Sequence, residues 1–419
     1  LVEARSSEPE VAPTEPGISH EIMNAIFTNP QPTSLPGEAF VADDARPRKL
    51  MSIRRFHIED NNPGLNEGTE VNPFKAGFAK IDITPPLGTP ISGYYCRRVS
   101  DGVLDPLHAR CLALSDGAAS ALVYMIDSLN LHDDVAARVK AAITRKTGVP
   151  AERIFLACTH SHTAPCNRWE ERSCAPEDAA AIERANDLLV SRCADCGARA
   201  LADLRPAKIR IGRGEAKCIS FIRRFRMKDG SQRTNPPLGD PDVVEPLGEP
   251  DEQLQLVRFV REGAKEIDLM GFQTHPDVVC GTKFSADWPG LACDCLEGAL
   301  GGKVHALLIN GAQGDSNHID IRPEGRGKRG YGHSRWMGET VADAALAVWE
   351  RAEAVPAGAV RGCVTGVRVP LRKSRTPGVR DPNKVEAYRL KMLASKPDEY
   401  DVPVSTVVIG RSLAFAGLP

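Results

Sequence analysis

The chain has 419 residues, 42% of them hydrophobic and 26% charged, with 53 basic against 55 acidic side chains and a formal net charge of −2 at pH 7. So even a balance offers no global field to nucleic acid or to an anionic membrane surface, and both are set aside as partners. The longest apolar runs, Ala121 to Ile126 and Ala306 to Ile309, fall far short of the roughly 20 residues of a membrane-spanning helix, and the length admits one large domain or two ordinary ones.

Residues 1–72 are rich in Pro, Glu, Ser and Asn with no period of 2 or 3.6, the composition of a poorly ordered tail outside any domain. Leu1 to Glu10 is acidic and polar, unlike the basic-then-apolar start of a secretory leader, and Met51 stands shortly before the first globular pattern as a plausible natural start. The expected location is cytoplasmic. The 12 cysteines are scattered, so free thiols are expected; Cys193 and Cys196 sit in a helical pattern without a second Cys-x-x-Cys, which argues against a zinc knuckle.

The domain is expected over residues 73–419. Phe74 to Ile83 alternates as a half-buried strand, closed by the turn residues Thr84-Pro85-Pro86-Leu87-Gly88. Ala121 to Ile126 reads as a buried strand and Asp133 to Lys146 as a helix with an acidic start and a basic end before Gly148. Arg153 to Ala157 is then a second strand, parallel to the first through a right-handed crossover. Helices are expected at Glu177 to Leu204 and Trp336 to Ala352, further strands at Ile267 to Phe272 and Val304 to Ile309, and a hairpin of the core sheet at Ser405 to Ile409 and Leu413 to Ala416. The fold class is α/β, with mixed, partly parallel sheets flanked by helices.

Three of these strands run directly into polar residues: Thr159-His160-Ser161-His162, Gln273-Thr274-His275-Pro276, and Asn310-Gly311-Ala312-Gln313-Gly314-Asp315. Ligands of α/β sheets sit beyond the carboxyl ends of the strands, so this is where chemistry is expected. If strand geometry persists, His160 and His162, two apart, share one face and can reach one metal or one substrate. His275 stands alone in its segment, and a satisfied core histidine is the plainer reading of any one of them. Neutral imidazoles suit zinc, with an open position for a water of lowered pKa.

Asp287, in Ser285-Ala286-Asp287, could orient a ligand histidine or simply belong to a turn. The loop carrying Asn310, Gly314, Asp315, Ser316 and Asn317 could present backbone N–H groups to an oxyanion. Arg223 and Arg224 could clamp a substrate or merely solvate the surface.

Together the segments Gly77 to Pro86, Gly102 to Leu107, Thr159 to Pro165, Thr274-His275, Ser285 to Asp287 and Gly314-Asp315 resemble, in order and spacing, the neutral/alkaline ceramidases and related bacterial catalytic domains. The resemblance implies zinc on His160 and His275, His162 beside the substrate amide, and Arg223 as the active-site arginine. It further implies a glutamate and a tyrosine ligand beyond Pro419, so that the chain would be a fragment. Two departures stand out: Ile222 replaces the family's Asn before the arginine, and Ser316 is one position displaced from the family's Gly-Asp-x-Ser serine. Both weigh against a serine nucleophile and against ceramide itself as substrate. The expected activity is zinc-dependent hydrolysis of a small-molecule or lipid amide, with the metal polarising the carbonyl while His162 and Arg223 steady the oxyanion. A two-metal phosphoesterase, suggested by Gly314-Asp315-x-x-His318, and a catalytically silent binding domain are the alternatives.

Overall fold

The computed structural model describes residues 23–28, 73–94, 96–168, 174–322, 325, 329–371 and 396–418. The expectation of a tail over residues 1–72 therefore lies, apart from Met23–Thr28, outside the described residues. Met23–Thr28 itself is a strand, β1, which pairs antiparallel with Leu413–Leu418.

One nine-stranded sheet organises the fold. It comprises β2 (Lys75–Asp82), β3 (His108–Ser115), β4 (Ser120–Ile126), β5 (Ile154–Cys158), β6 (Arg205–Glu215), β7 (Gln253–Arg261), β8 (Glu266–Phe272), β9 (Val304–Asn310) and β10 (Glu353–Val355). Their order is β9-β8-β7-β6-β2-β3-β4-β5, with β10 pairing β6 beside this path. Two pairs, β4 with β5 and β8 with β9, are parallel. Each is bridged by a helix, α1 (Asp133–Thr147) in the first case and α3 (Asp287–Ala299) in the second, because parallel neighbours need a long crossover.

Helix α1 begins and ends as its residues dictate. Asp133 and Asp134 lie in the first turn and Arg145 and Lys146 in the last, complementing the helix dipole, and Gly148 at φ 74° returns its N–H to the Thr144 carbonyl at 2.8 Å. Helix α2 (Ala179–Ala202) packs with α1 on β2 and β3, while α4 (Tyr331–Trp349) packs with α3 on the β6 to β9 side.

The sheet is covered on both faces. Leu122, Tyr124, Ile154 and Leu156 join Val135, Val139, Leu189 and Cys193 beneath α1 and α2, whereas Val123, Met125, Phe155 and Ala157 join Leu269, Leu307, Trp288 and Phe415 in the main core. This double cover corrects the expectation of a half-buried first strand: Ala76 to Ala79 are all buried. Gly77 is the contact point, since a Cβ there would stand 2.2 Å from the Ala200 carbonyl oxygen of α2.

The predicted hairpin exists, but not in this sheet. Strands β11 (Val360–Pro370), β12 (Glu399–Ile409) and β13 (Leu413–Leu418) form with β1 a four-stranded antiparallel sheet ordered β1-β13-β12-β11. Its apolar side, Val407, Ile409, Leu413 and Phe415, packs on the larger sheet, where the rings of Phe415 and Phe155 lie 6.0 Å apart. The alternation that made the hairpin legible carries no information about which sheet it joins.

The larger sheet also curls until its two ends meet. Strands β5 and β9 are last and first in the order, yet Asn310 Nδ2 donates to the Thr159 carbonyl at 3.1 Å and Leu308 N–H reaches Met125 Sδ at 3.1 Å. That closure brings the residues beyond β5 and those beyond β8 to one place.

Candidate metal centre

Strand β5 stops at Cys158, and the chain continues its ladder for two more residues: Thr159 N–H donates to Ile126 and His160 N–H to Ser128, both at 2.9 Å. His160 then takes φ 68°, a left-handed conformation unusual for a non-glycine residue. His160 and His162 thus converge through a bend, not by the strand alternation expected of them. Nδ1 of His160 lies 2.9 Å from the Leu129 carbonyl oxygen, which can only accept, so Nδ1 carries a proton and the ring turns Nε2 the other way.

His162 is seated from three sides. Its N–H donates to the Pro276 carbonyl at 3.3 Å, its own carbonyl accepts from Arg98 at 2.8 Å, and Gly93 lies under its ring. Gly93 has φ 103°, and a Cβ on it would stand 2.7 Å from His162 Nδ1. His162 Nε2 lies 2.9 Å from His275 Nε2. Across the trio, ring centroids are 5.2 Å apart for His160 and His162, 4.7 Å for His160 and His275, and 4.9 Å for His162 and His275. One nitrogen from each ring lies within 4.8 Å of the others, and no other group of three metal-binding side chains meets that criterion among the described residues.

Burial, then the neighbouring His160, pushes His162 down to about 3; burial, His160, His162 and Arg223 push His275 down to about 2. Both are therefore neutral near pH 7, and their Nε2 atoms meet in a hydrogen bond that a metal ion would replace. Two imidazole nitrogens held about 2.0–2.1 Å from one zinc stand about 3.3 Å apart at the tetrahedral angle, so the 2.9 Å between His162 and His275 lies close to that spacing. Nδ1 of His275 is buried without a partner among the described residues. Three imidazoles, one of them turned by the Leu129 carbonyl, fit a borderline divalent metal such as zinc.

Around the trio the structure assigns the remaining predicted residues. Asn310 clamps the residues preceding two of the histidines, donating from Nδ2 to Thr159 and accepting the Thr274 N–H on Oδ1 at 3.4 Å. Among the described residues Asp287 accepts no hydrogen bond from a histidine. It accepts the N–H groups of Val278 and Val279 at 3.0 and 3.1 Å, the Trp288 N–H at 2.7 Å and the Ser334 hydroxyl at 2.5 Å, so it shapes the turn after His275. Ser285 ties that turn to the first histidine loop, because its carbonyl accepts the hydroxyls of Ser161 and Thr163 at 2.7 and 3.1 Å.

Two N–H groups of the loop after β9 are engaged within the fold. The N–H of Gly311 already donates to Phe272 and that of Ser316 to Gln313, while the carbonyls of Gly314 and Asp315 accept from Nε and N of Arg223 at 2.8 and 3.0 Å. Those contacts hold Arg223 within electrostatic reach of His275. The Asp315 carboxylate is half exposed and bound to Arg224. Ser316 and Asn317 are buried in a short strand pairing Phe221–Ile222, and Asn317 donates to Asn235 at 2.8 Å.

Four neighbours were not read from sequence as parts of the site: Gly93, Tyr94, Arg98 and Asp277. Arg98 stacks 4.3 Å from the Tyr94 ring, and Tyr94 lies 5.5 Å from the His162 ring. Asp277 lies two residues past His275, with Oδ1 3.2 Å from Nδ1 of His318, an ion-pair distance without the alignment of a full hydrogen bond. Burial alone would raise the Asp277 carboxyl, but His318 beside it outweighs burial and holds it below the usual range. A carboxylate two residues past a candidate ligand was the available signal for Asp277; nothing local marks Tyr94 or Arg98.

Comparison with protein-family models and with curated protein sequences gives no match. Among solved structures, a neutral ceramidase from Pseudomonas aeruginosa is similar with a TM-score of 0.61 at 18% identity over 82% of this chain and 61% of that one. A ceramidase complexed with C2 is similar with a TM-score of 0.60 at 17% identity over 81% of this chain and 62% of that one. This chain thus covers less than two thirds of either, and at these identities the likeness is one of fold: a mixed α/β, ceramidase-like architecture.

Proposed function

We propose that this chain carries the core of a zinc-dependent hydrolase acting on an amide bond, with His160, His162 and His275 as the metal-holding residues. The observation that carries the proposal is the convergence of three imidazoles within 4.8 Å at the meeting ends of the sheet. The ceramidase-like fold supports an N-acyl compound as the substrate class. Zinc bound there would supply a Lewis acid for the carbonyl and a water of lowered pKa.

The chain's own residues account for the rest. His160 presents Nε2 because Leu129 holds the other nitrogen. Arg223, fixed by two carbonyls, is the cation available to an oxyanion. His162 sits closer to the donor set than the family pattern implies, its Nε2 being 2.9 Å from that of His275. A two-metal phosphoesterase is less well supported, since the described residues hold a single three-donor group.

The test is metal analysis of the purified protein with a parallel screen of N-acyl amides and phosphate esters. One equivalent of zinc with amide turnover supports the proposal. Turnover of phosphate esters alone, or a metal-free protein that hydrolyses nothing, refutes it.

A further inference from the structure

Three successive carbonyls of the loop between β4 and α1 are engaged in holding His160 or the loop itself. The Ser128 carbonyl accepts the His160 N–H at 2.9 Å, and the Leu129 carbonyl accepts from its Nδ1 at 2.9 Å. The third, that of Asn130, accepts two side-chain donors, the Ser128 hydroxyl at 2.8 Å and Asn167 Nδ2 at 2.6 Å. Asn167 Oδ1 in turn accepts the His132 N–H at 3.2 Å, at the N-cap of α1. One buried amide thus joins Asn130 to His132, and its orientation is unambiguous because a carbonyl faces its nitrogen and an N–H faces its oxygen. Asn167 is itself held in place: the neighbouring Cys166 N–H donates to Pro90 at 2.9 Å, and Asn186 of α2, also buried, donates to the Asn167 carbonyl at 3.0 Å.

We infer that Asn167 is a positioning residue for His160, acting through the Leu129 carbonyl that orients the imidazole. His160 stands at φ 68°, a backbone conformation that persists in a non-glycine residue only where its surroundings hold it. Two contacts that hold it, on the N–H and on Nδ1, come from adjacent carbonyls of one loop, so a shift of that loop moves backbone and ring together. By fixing the next carbonyl, Asn167 fixes the peptide beside Leu129 and with it the direction in which the Leu129 carbonyl points. The chemistry selects asparagine: the place needs a donor for Asn130 and an acceptor for His132 on one short planar group, and an aspartate lacks the donor. Partners that orient a ligand histidine contribute to metal affinity, and Asn167 stands one step behind such a partner. This inference rests on the reading of His160 as a metal-holding residue of a hydrolase, and adds the side chain that aims it.

The test is zinc affinity, measured by chelator competition on the whole chain. Asn167→Ala should bind zinc about tenfold more weakly than wild type, the lower end of the loss expected for a ligand's direct partner. In a His160→Ala background the same substitution should change affinity by no more than about twofold, because it acts through that ring. Asn167→Asp, which keeps the acceptor and loses the donor, should resemble Asn167→Ala. Ser128→Ala removes the other donor to the Asn130 carbonyl and should weaken zinc binding by a smaller factor, which keeps the inference testable if Asn167→Ala does not fold. A second readout needs no metal: the Nδ1 proton held by Leu129 should give a downfield, slowly exchanging proton resonance in metal-free wild type that is absent from His160→Ala and lost in Asn167→Ala. Unchanged zinc affinity in both Asn167→Ala and Ser128→Ala, or an equal loss with and without His160, overturns the inference. Zinc bound and weakened as expected, with no amide hydrolysed, supports the positioning role and refutes the hydrolase reading alone. A wild type that binds no zinc refutes that reading too, and the proton resonance then decides. Its loss in Asn167→Ala supports the positioning role; its persistence there, or its absence from wild type, overturns it.

Discussion

Asn310 Nδ2 donates to the Thr159 carbonyl oxygen at 3.1 Å, across the seam where the first and last strands of the nine-stranded sheet meet. Through Oδ1 the same side chain accepts from Thr274, so one amide spans the residues immediately before His160 and His275. Replacing Asn310 with Ala leaves both backbone groups buried and unpaired, a loss of about 1–3 kcal/mol. It should also lower zinc affinity by about 10–100-fold, as loss of an orienting partner does. Metal titration and thermal melting of Asn310→Ala check both, and wild-type affinity would show that the clamp positions nothing.

The histidines themselves make a sharper distinction. His160→Ala and His275→Ala should each lower zinc affinity by more than the roughly 10–100-fold contributed by an outer partner. From the 2.9 Å between its Nε2 and that of His275, His162→Ala should do the same. A His162→Ala protein that keeps its zinc at wild-type affinity but loses turnover would instead make His162 the substrate-side group that the family pattern implies.

Gly93 supplies a third prediction, one that involves no donor atom. At φ 103°, with His162 Nδ1 only 2.7 Å from where a Cβ would stand, Gly93→Ala must displace the imidazole or the loop. The expected cost is about 1–3 kcal/mol of stability, accompanied by weaker zinc binding. Loss of stability with wild-type zinc affinity would mean that the ring tolerates the displacement.

How far the sequence reached depends on the range of each interaction. The parallel strands and helix α1 were legible because burial and capping are written in adjacent residues: Ala121 to Ile126, Asp133 at the helix start, Gly148 at its end. His160, His162 and His275 were legible because each follows a buried strand. What stayed hidden depends on pairings across the chain. Asp287 looked like a histidine partner because it follows His275 closely, but its bonds go to the backbone of Val278 and Val279. Asp315 looked like a site residue because Gly314 precedes it, but Arg224 takes it. Tyr94 and Arg98 lie in a loop whose local pattern says only that it turns, and they meet His162 solely through the fold.

A last prediction concerns pH and a buried carboxylate near the start of the strand that leads to His275. Asp268 of β8 has a fully buried side chain that accepts the Trp349 Nε1–H at 2.7 Å and has Arg258 Nε 3.9 Å away. Burial raises its pKa to about 7 despite both partners, because Arg258 is drawn toward Glu266 at 2.7 Å and the Trp349 ring at 3.3 Å. The folded value thus lies above the unfolded one of about 4. Between the two, the native state keeps a proton that the unfolded chain has released. This group's contribution to stability is therefore fully present below about pH 4 and is lost as pH rises through about 7, a swing of a few kcal/mol. Asp268→Asn can still accept from Trp349 but cannot ionise, and Arg258 retains Glu266. The variant should therefore gain stability relative to wild type steadily as pH rises from about 4 to about 7, where the unfolded chain has lost the proton the native state keeps, and the gain should level off above that. Denaturant unfolding of both proteins across that range measures the difference, and parallel curves would mean that Asp268 stays ionised throughout, held by Arg258 more firmly than burial opposes.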